Sequence, residues 1–200
     1  SKLNDGYVID EQAPTDIVIT SEAGEETYES DTWTSKDVTI KLSSTAYSGI
    51  YRYYYSVNGS DWTEIDGDTI TVKNQGEWNY KFKAVSYADN ETVTQNDFKV
   101  KIDKTEPVVR VDFEGTFGRW SADGVQFSMS ILNQAISGVR YYYSTDGGKS
   151  WIQAEEGSII TIDEDVDASY IFKAINGAGV ESNVSDSYRI MIDTKKPTLE

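Results

Sequence analysis

The chain has no cysteine and no histidine. Without cysteine there are no disulfides, no thiolate nucleophile and no thiolate metal site, so each folded unit must be held by its packed core alone. The cellular compartment stays open, because many exported bacterial proteins also do without disulfides. Without histidine the commonest general base is missing, and no serine-nucleophile motif replaces it. No apolar run reaches the roughly 18 residues of a membrane-spanning helix, and no leader pattern is present. Basic residues are scarce, 18 Lys and Arg against 34 Asp and Glu, for a formal charge of −16. Both halves are acidic, a surface that repels phosphate backbones and anionic lipid, so neither nucleic-acid binding nor membrane insertion is expected. Proline is rarer still, with three residues in all.

Those three prolines share one motif. Ile-Asp-x-x-x-Pro runs from Ile9 to Pro14, from Ile102 to Pro107 and from Ile192 to Pro197. The copies divide the chain into two units of nearly equal length, too long for solenoid turns and the right size for small independent domains. The expected layout is a tail and linker at 1–13, a first domain at 14–103, a linker at 104–106, a second domain at 107–193, and 194–200 as linker and start of a further repeat or a cloning remnant. Tyr7-Val8-Ile9-Asp10 reads as the close of a preceding unit, and Pro197-Thr198-Leu199 as the opening of a following one. Short proline-stiffened junctions predict an extended rod with limited bending.

Within each unit, apolar residues alternate with polar ones at the period of a half-buried strand. Val38, Ile40 and Leu42 are matched by Val125, Phe127 and Met129, and a tryptophan, Trp33 or Trp120, precedes each set. Ser48-Gly49-Ile50 and Ser137-Gly138-Val139 introduce tyrosine-rich strands that end in the turn dipeptides Asn58-Gly59 and Asp146-Gly147, each followed by a tryptophan, Trp62 or Trp151. Tyr80-x-Phe82-x-Ala84 and Tyr170-x-Phe172-x-Ala174 come next. Phe98, Val100 and Ile102, or Tyr188, Ile190 and Ile192, close the unit. With no helical periodicity anywhere, the predicted fold is all-β: two tandem immunoglobulin-like antiparallel β-sandwiches of about seven strands each.

At this point the residues resemble the bacterial immunoglobulin-like repeats of large surface-exposed proteins, which share features with fibronectin type III modules. The resemblance is carried by Tyr142-Tyr143-Ser144-Thr145-Asp146-Gly147-Gly148-Lys149-Ser150-Trp151, by Asn176-Gly177-Ala178-Gly179-Val180, and by Ile192-Asp193-Thr194-Lys195-Lys196-Pro197. The first unit is a degenerate copy, with Asn58 at the turn aspartate and no glycines in Ser86-Tyr87-Ala88-Asp89-Asn90. The resemblance implies an extracellular, bacterial, non-catalytic module, one of many in a stalk, an adhesin or an accessory region of a secreted glycosidase.

Several residues are candidates for chemistry. Ser144 to Trp151 also resembles the Asp-box of sialidase propellers. A propeller needs at least four blades, so this box is read as a hairpin stabiliser, Asp146 accepting turn amides while Trp62 and Trp151 pack beneath the strands. Asp10, Asp103 and Asp193 occupy one position in every junction and, with Asp112, Glu114 and Glu106, are candidate Ca²⁺ ligands; the competing reading is that each accepts amides of its own turn. Asp163 to Asp167 is a second acidic cluster. Tyr54 and Tyr142 are candidate ligand-binding residues, because neighbours in a tyrosine run must point to opposite faces and leave rings outside for sugar stacking. Tyr80 and Tyr170 are read as tyrosine-corner residues tying a loop across the sandwich.

The leading expectation is a structural spacer, with no cofactor, acting as a monomer beside neighbouring repeats of its own chain. The alternatives are an adhesin or carbohydrate-binding module that meets a glycan or host matrix protein, and accessory domains of a large secreted glycosidase.

Overall fold

The structure is a computed structural model that describes residues 9–198. The readings of Tyr7, Val8 and Leu199 lie outside the described residues. The chain divides into two compact units between Ile102 and Asp103.

Unit 1 contains β1 (Val18–Ala23), β2 (Glu26–Thr27), β3 (Trp33–Thr34), β4 (Val38–Ser43), β5 (Ile50–Val57), β6 (Thr63–Ile65), β7 (Thr69–Val72), β8 (Gly76–Ser86), β9 (Glu91–Val93) and β10 (Phe98–Ile102). They form a four-stranded sheet in the order β2-β1-β4-β7 and a six-stranded sheet in the order β3-β10-β8-β5-β6, with β9 added on β8. Unit 2 contains β11 (Val109–Glu114), β12 (Trp120–Ser121), β13 (Val125–Ile131), β14 (Val139–Ser144), β15 (Ile152–Ala154), β16 (Ile160–Ile162), β17 (Val166–Asn176) and β18 (Tyr188–Ile192). Its sheets run β11-β13-β16 and β12-β18-β17-β14-β15. Each unit is an immunoglobulin-like β-sandwich. β1-β4-β7 corresponds to β11-β13-β16, and β10-β8-β5-β6 to β18-β17-β14-β15.

The alternation seen in the sequence becomes the core. Val38, Ile40 and Leu42 of β4 face Phe82, Ala84, Val100 and Ile102 across unit 1, all buried. In unit 2, Val125, Phe127 and Met129 face Phe172, Ala174, Ile190 and Ile192. Fully burying each large side chain stabilises by about 1.5–3 kcal/mol, which suits units that lack any covalent staple. Phe172 lies fully buried in the second core, with ring centroids of Phe127, Phe113 and Tyr188 at 5.1, 5.9 and 6.0 Å.

The two units differ at their edge tryptophans, and one expectation changes on folding. Trp120 is 60% exposed, because it sits on the two-residue edge strand β12, which pairs in parallel with the rim of β18. Its counterpart Trp33, on the matching edge strand β3, is half-buried with the Lys101 ammonium 5.7 Å from its ring centre. Tyr80 and Tyr170 act through their rings: Tyr80 stacks on Phe82 and Tyr170 on Tyr143, and burial pushes the Tyr80 hydroxyl up to about 12. Tyr28 does tie a loop in unit 1: its hydroxyl donates to the Thr32 carbonyl at 2.6 Å and accepts from the Lys101 amide at 3.0 Å.

Candidate functional site

Two arrangements recur in both units. The first is built on the junction aspartates. β10 ends at Ile102, so the next residue is Asp103, and its side chain turns into unit 2. One carboxylate oxygen accepts from the Ser137 amide at 3.0 Å and the Ser137 hydroxyl at 2.5 Å, while the other accepts from the Thr105 amide at 3.0 Å. Asn176 closes the arrangement by donating its side-chain amide to the Thr105 carbonyl at 2.9 Å. Asp103 is fully buried.

Unit 1 repeats this clasp. Asp10 accepts from the Ser48 amide at 3.0 Å, the Ser48 hydroxyl at 2.7 Å and the Gln12 amide at 3.2 Å. Asn90 donates to the Asp10 carbonyl at 2.8 Å. The third copy, Asp193, accepts from the Lys195 amide at 3.0 Å, the same two-residue turn. Each junction aspartate therefore closes its own turn, and the first two also hold the Ser-Gly loop that opens the tyrosine strand.

These bonds set the ionisation. Burial alone would raise the Asp103 carboxyl, but the donors from Ser137 and Thr105 together hold it below the usual carboxylate range. The Ser48 hydroxyl and amide lower Asp10 in the same way. No three acidic residues come together as a metal cluster among the described residues. Asp112 is paired with Arg110 at 2.8 Å, and Glu106 accepts from the Asn183 side chain at 3.1 Å. In the acidic run, Asp165 binds the Thr194 amide and hydroxyl and the Lys195 ammonium, and Asp167 takes a two-pronged bond from Arg189.

Depressed carboxylates link stability to pH in one direction. A group whose folded pKa lies below its unfolded value stabilises above the unfolded value and loses that contribution as pH falls through the folded one. Asp103 and Asp146 are lowered, and Asp165 is lowered to about 2 from 3.8, by the Thr194 amide first. The melting temperature of unit 2 is therefore expected to hold from neutral pH to about 4, then fall steadily as the pH is taken towards 2. Thermal melts across that range test it; a flat or rising profile would contradict these assignments.

The second arrangement is the outer face of the sheet that carries the tyrosine strands. Strand alternation puts Ile65 of β6 and Ala154 of β15 inside. Trp62 and Trp151, three residues before them, therefore share the outer face with Glu64 and Gln153. The expectation that the tryptophans pack beneath the strands is corrected: Trp62 is 39% exposed and Trp151 half-buried. The period-2 rule, counted back from the buried residue, contained this answer.

Tyr54 and Tyr142 lie on the same face, half-buried, opposite Lys83 and Lys173 on the neighbouring strand. The Lys83 ammonium stands 5.0 Å from the Tyr54 ring centre and 5.2 Å from that of Trp62, and pairs with Glu91 at 3.0 Å. Lys173 stands 4.6 Å from the Trp151 ring centre and pairs with Glu181 at 3.1 Å. Cation–π contact and ion pairing together hold these lysine stems flat against the sheet.

Asp146 anchors the hairpin beside Trp151. It accepts from the Ser144 hydroxyl at 2.8 Å, the Ser150 amide at 2.9 Å and the Ser150 hydroxyl at 2.6 Å, and those donors hold its carboxyl well below the ordinary range. In unit 1, Asn58 takes a positive φ of 49° and accepts instead from the Asn79 amide at 2.8 Å.

No family model matches the chain, and no curated protein matches it. Among solved structures it is similar to fibronectin(III)-like modules of Clostridium thermocellum CbhA, with 13% identity over 86% of this chain and 93% of that chain and a TM-score of 0.42.

Proposed function

We propose that the chain is a non-catalytic structural module, a spacer within a modular bacterial protein that is secreted or held at the cell surface. The observation that supports this reading is the direct succession of strand and clasp. Ile102 is the last residue of one sandwich, and Asp103 already belongs to the hydrogen-bonded closure of the next. Ile9-Asp10 and Ile192-Asp193 repeat the pair of residues at the other junctions. A chain built this way adds units without free linker residues, and its acidic surface keeps a string of such units soluble.

Stretched between its ends in an optical trap, the chain is expected to unfold in two separate steps, one for each core, without gradual lengthening before the first. A single cooperative rip, or steady lengthening at low force, would overturn the spacer reading. The second reading, a carbohydrate-binding or adhesive unit, has one specific observation in its favour: Tyr51 and Tyr87 are exposed side by side in unit 1 and have no counterpart in unit 2. Service as accessory domains of a glycosidase would use the same two sandwiches and differ only in what they are joined to.

A further inference from the structure

Unit 1 extends the outward aromatic face that both units share by two rings, Tyr51 and Tyr87, that its sister unit lacks. The difference begins with one inserted residue. Val139 and Arg140 of β14 pair in sequence with Asn176 and Ile175, whereas in β5 the pairing jumps from Ile50 opposite Ser86 to Arg52 opposite Val85, leaving Tyr51 as the extra residue of a β-bulge. Bulges re-aim side chains and recur beside functional sites. Here the bulge turns Tyr51 outward, 49% exposed, with its ring centre 5.1 Å from that of Tyr87, which is 68% exposed.

Tyr87 is the second difference. The Tyr87 amide donates to the Gly49 carbonyl at 3.0 Å as the Gly177 amide donates to Gly138 at 3.0 Å, so the two positions correspond. At Gly177 a β-carbon would stand 2.2 Å from the Ser137 carbonyl oxygen, which bars any side chain from that position in unit 2. Unit 1 has made room for a ring where unit 2 has closed the space.

From Tyr51 the strip continues along the outer face. The Arg52 guanidinium lies 4.6 Å from the Tyr51 ring centre, donates to the Tyr51 hydroxyl at 2.8 Å and pairs with Glu64. Tyr54, Lys83 and Trp62 follow, with Glu91 beyond Lys83. An open groove of about 680 Å³ runs from Tyr51 past Arg52 and Glu64 to Asp66 and Asp68.

We propose that this face of unit 1 is a binding platform for a neutral linear oligosaccharide. Sugar rings offer apolar C–H faces to aromatic rings and hydroxyls to charged groups, and the strip alternates the two along its length. Arg52 stands over Tyr51 and Lys83 over both Tyr54 and Trp62, fixing their orientation, so the rings are ordered before any ligand arrives. Both cations are already neutralised by Glu64 and Glu91, which leaves nothing to recruit an anionic polymer to an acidic domain. The dry aliphatic centre of a protein interface is also missing: the one exposed aliphatic neighbour of Lys83 is Val93 on β9, at the margin. This inference rests on the carbohydrate-binding reading, whose ligand class and site it names, and does not depend on the spacer reading.

The test is calorimetric titration of the intact chain with maltohexaose, cellohexaose and mannohexaose, with polygalacturonate as the anionic control. At least one neutral hexasaccharide is expected to bind. Tyr87→Ala and Trp62→Ala should each weaken it about tenfold or more, the loss typical of a central contact residue, with melting temperatures unchanged. Tyr142→Ala, on the matching face of unit 2, should leave binding intact. Silence across the neutral panel, binding of polygalacturonate alone, or a loss caused by Tyr142→Ala and not by Tyr87→Ala would each overturn the proposal.

Discussion

Replacing Asp103 by alanine is expected to lower the stability of unit 2 by about 3 kcal/mol, because buried donors left without an acceptor cost roughly 1–3 kcal/mol and the bonds lost are charge-assisted. The donors that converge on this carboxylate come from Ser137 and Thr105, the amide and the hydroxyl of each. The site is fully buried, so water cannot easily replace the carboxylate. For a domain of this size such a loss lowers the melting temperature by about 15 °C. Asp103→Asn keeps the shape and one acceptor oxygen and should fall between wild type and Asp103→Ala. Because the clasp belongs to unit 2, the melting of unit 1 should not move, although Asp103 directly follows its last strand. Differential scanning calorimetry with a separate transition for each unit decides it; a variant that weakens unit 1 instead would mean that the aspartate serves the strand before it.

Phe172→Ala should cost still more, about 4 kcal/mol, the range measured for removing a fully buried phenylalanine. The Phe172 ring is completely enclosed and sits among Phe113, Phe127 and Tyr188, so the deletion leaves a hole between two sheets whose backbones are pinned by their ladders. Rigid walls collapse poorly, and the cavity contribution then adds to the lost transfer energy. With a total stability of roughly 5–15 kcal/mol for a domain, unit 2 is brought near to unfolding. The first core shares no residue with the second, so unit 1 should melt as before. Loss of both transitions together would show that the two cores are not independent.

The clasp and the core differ in how they were written into the chain. The inward sets Val38-Ile40-Leu42 and Val125-Phe127-Met129 were legible because alternation is a local pattern: a strand with one face buried must place its apolar residues two apart. The repeated Ile-Asp-x-x-x-Pro marked where one unit ends, and the Asn-Gly and Asp-Gly pairs marked the hairpins. In the candidate sites the sequence reached the residue types and stopped short of their partners. Ser48 and Ser137 were visible as repeated loop residues, and their recurrence in step with the junction aspartates was the available signal. Lys83 and Lys173 recur in step with Trp62 and Trp151 in the same way.

Composition and periodicity by themselves determined that this protein is all-β, built twice over, acidic, unstapled and without histidine or cysteine, since each of these follows from residue counts or from spacing along a strand. Tertiary structure alone decided that the Asp103 carboxylate meets Ser137, 34 residues away, that lysines lie over the hairpin tryptophans, that Trp120 is exposed, and that one extra residue at Tyr51 turns a ring outward. Those outcomes depend on which strands pair and in which register. A hydrogen bond or a ring contact across a sheet is fixed by the closure of long loops, and no pattern of neighbours along the chain encodes it.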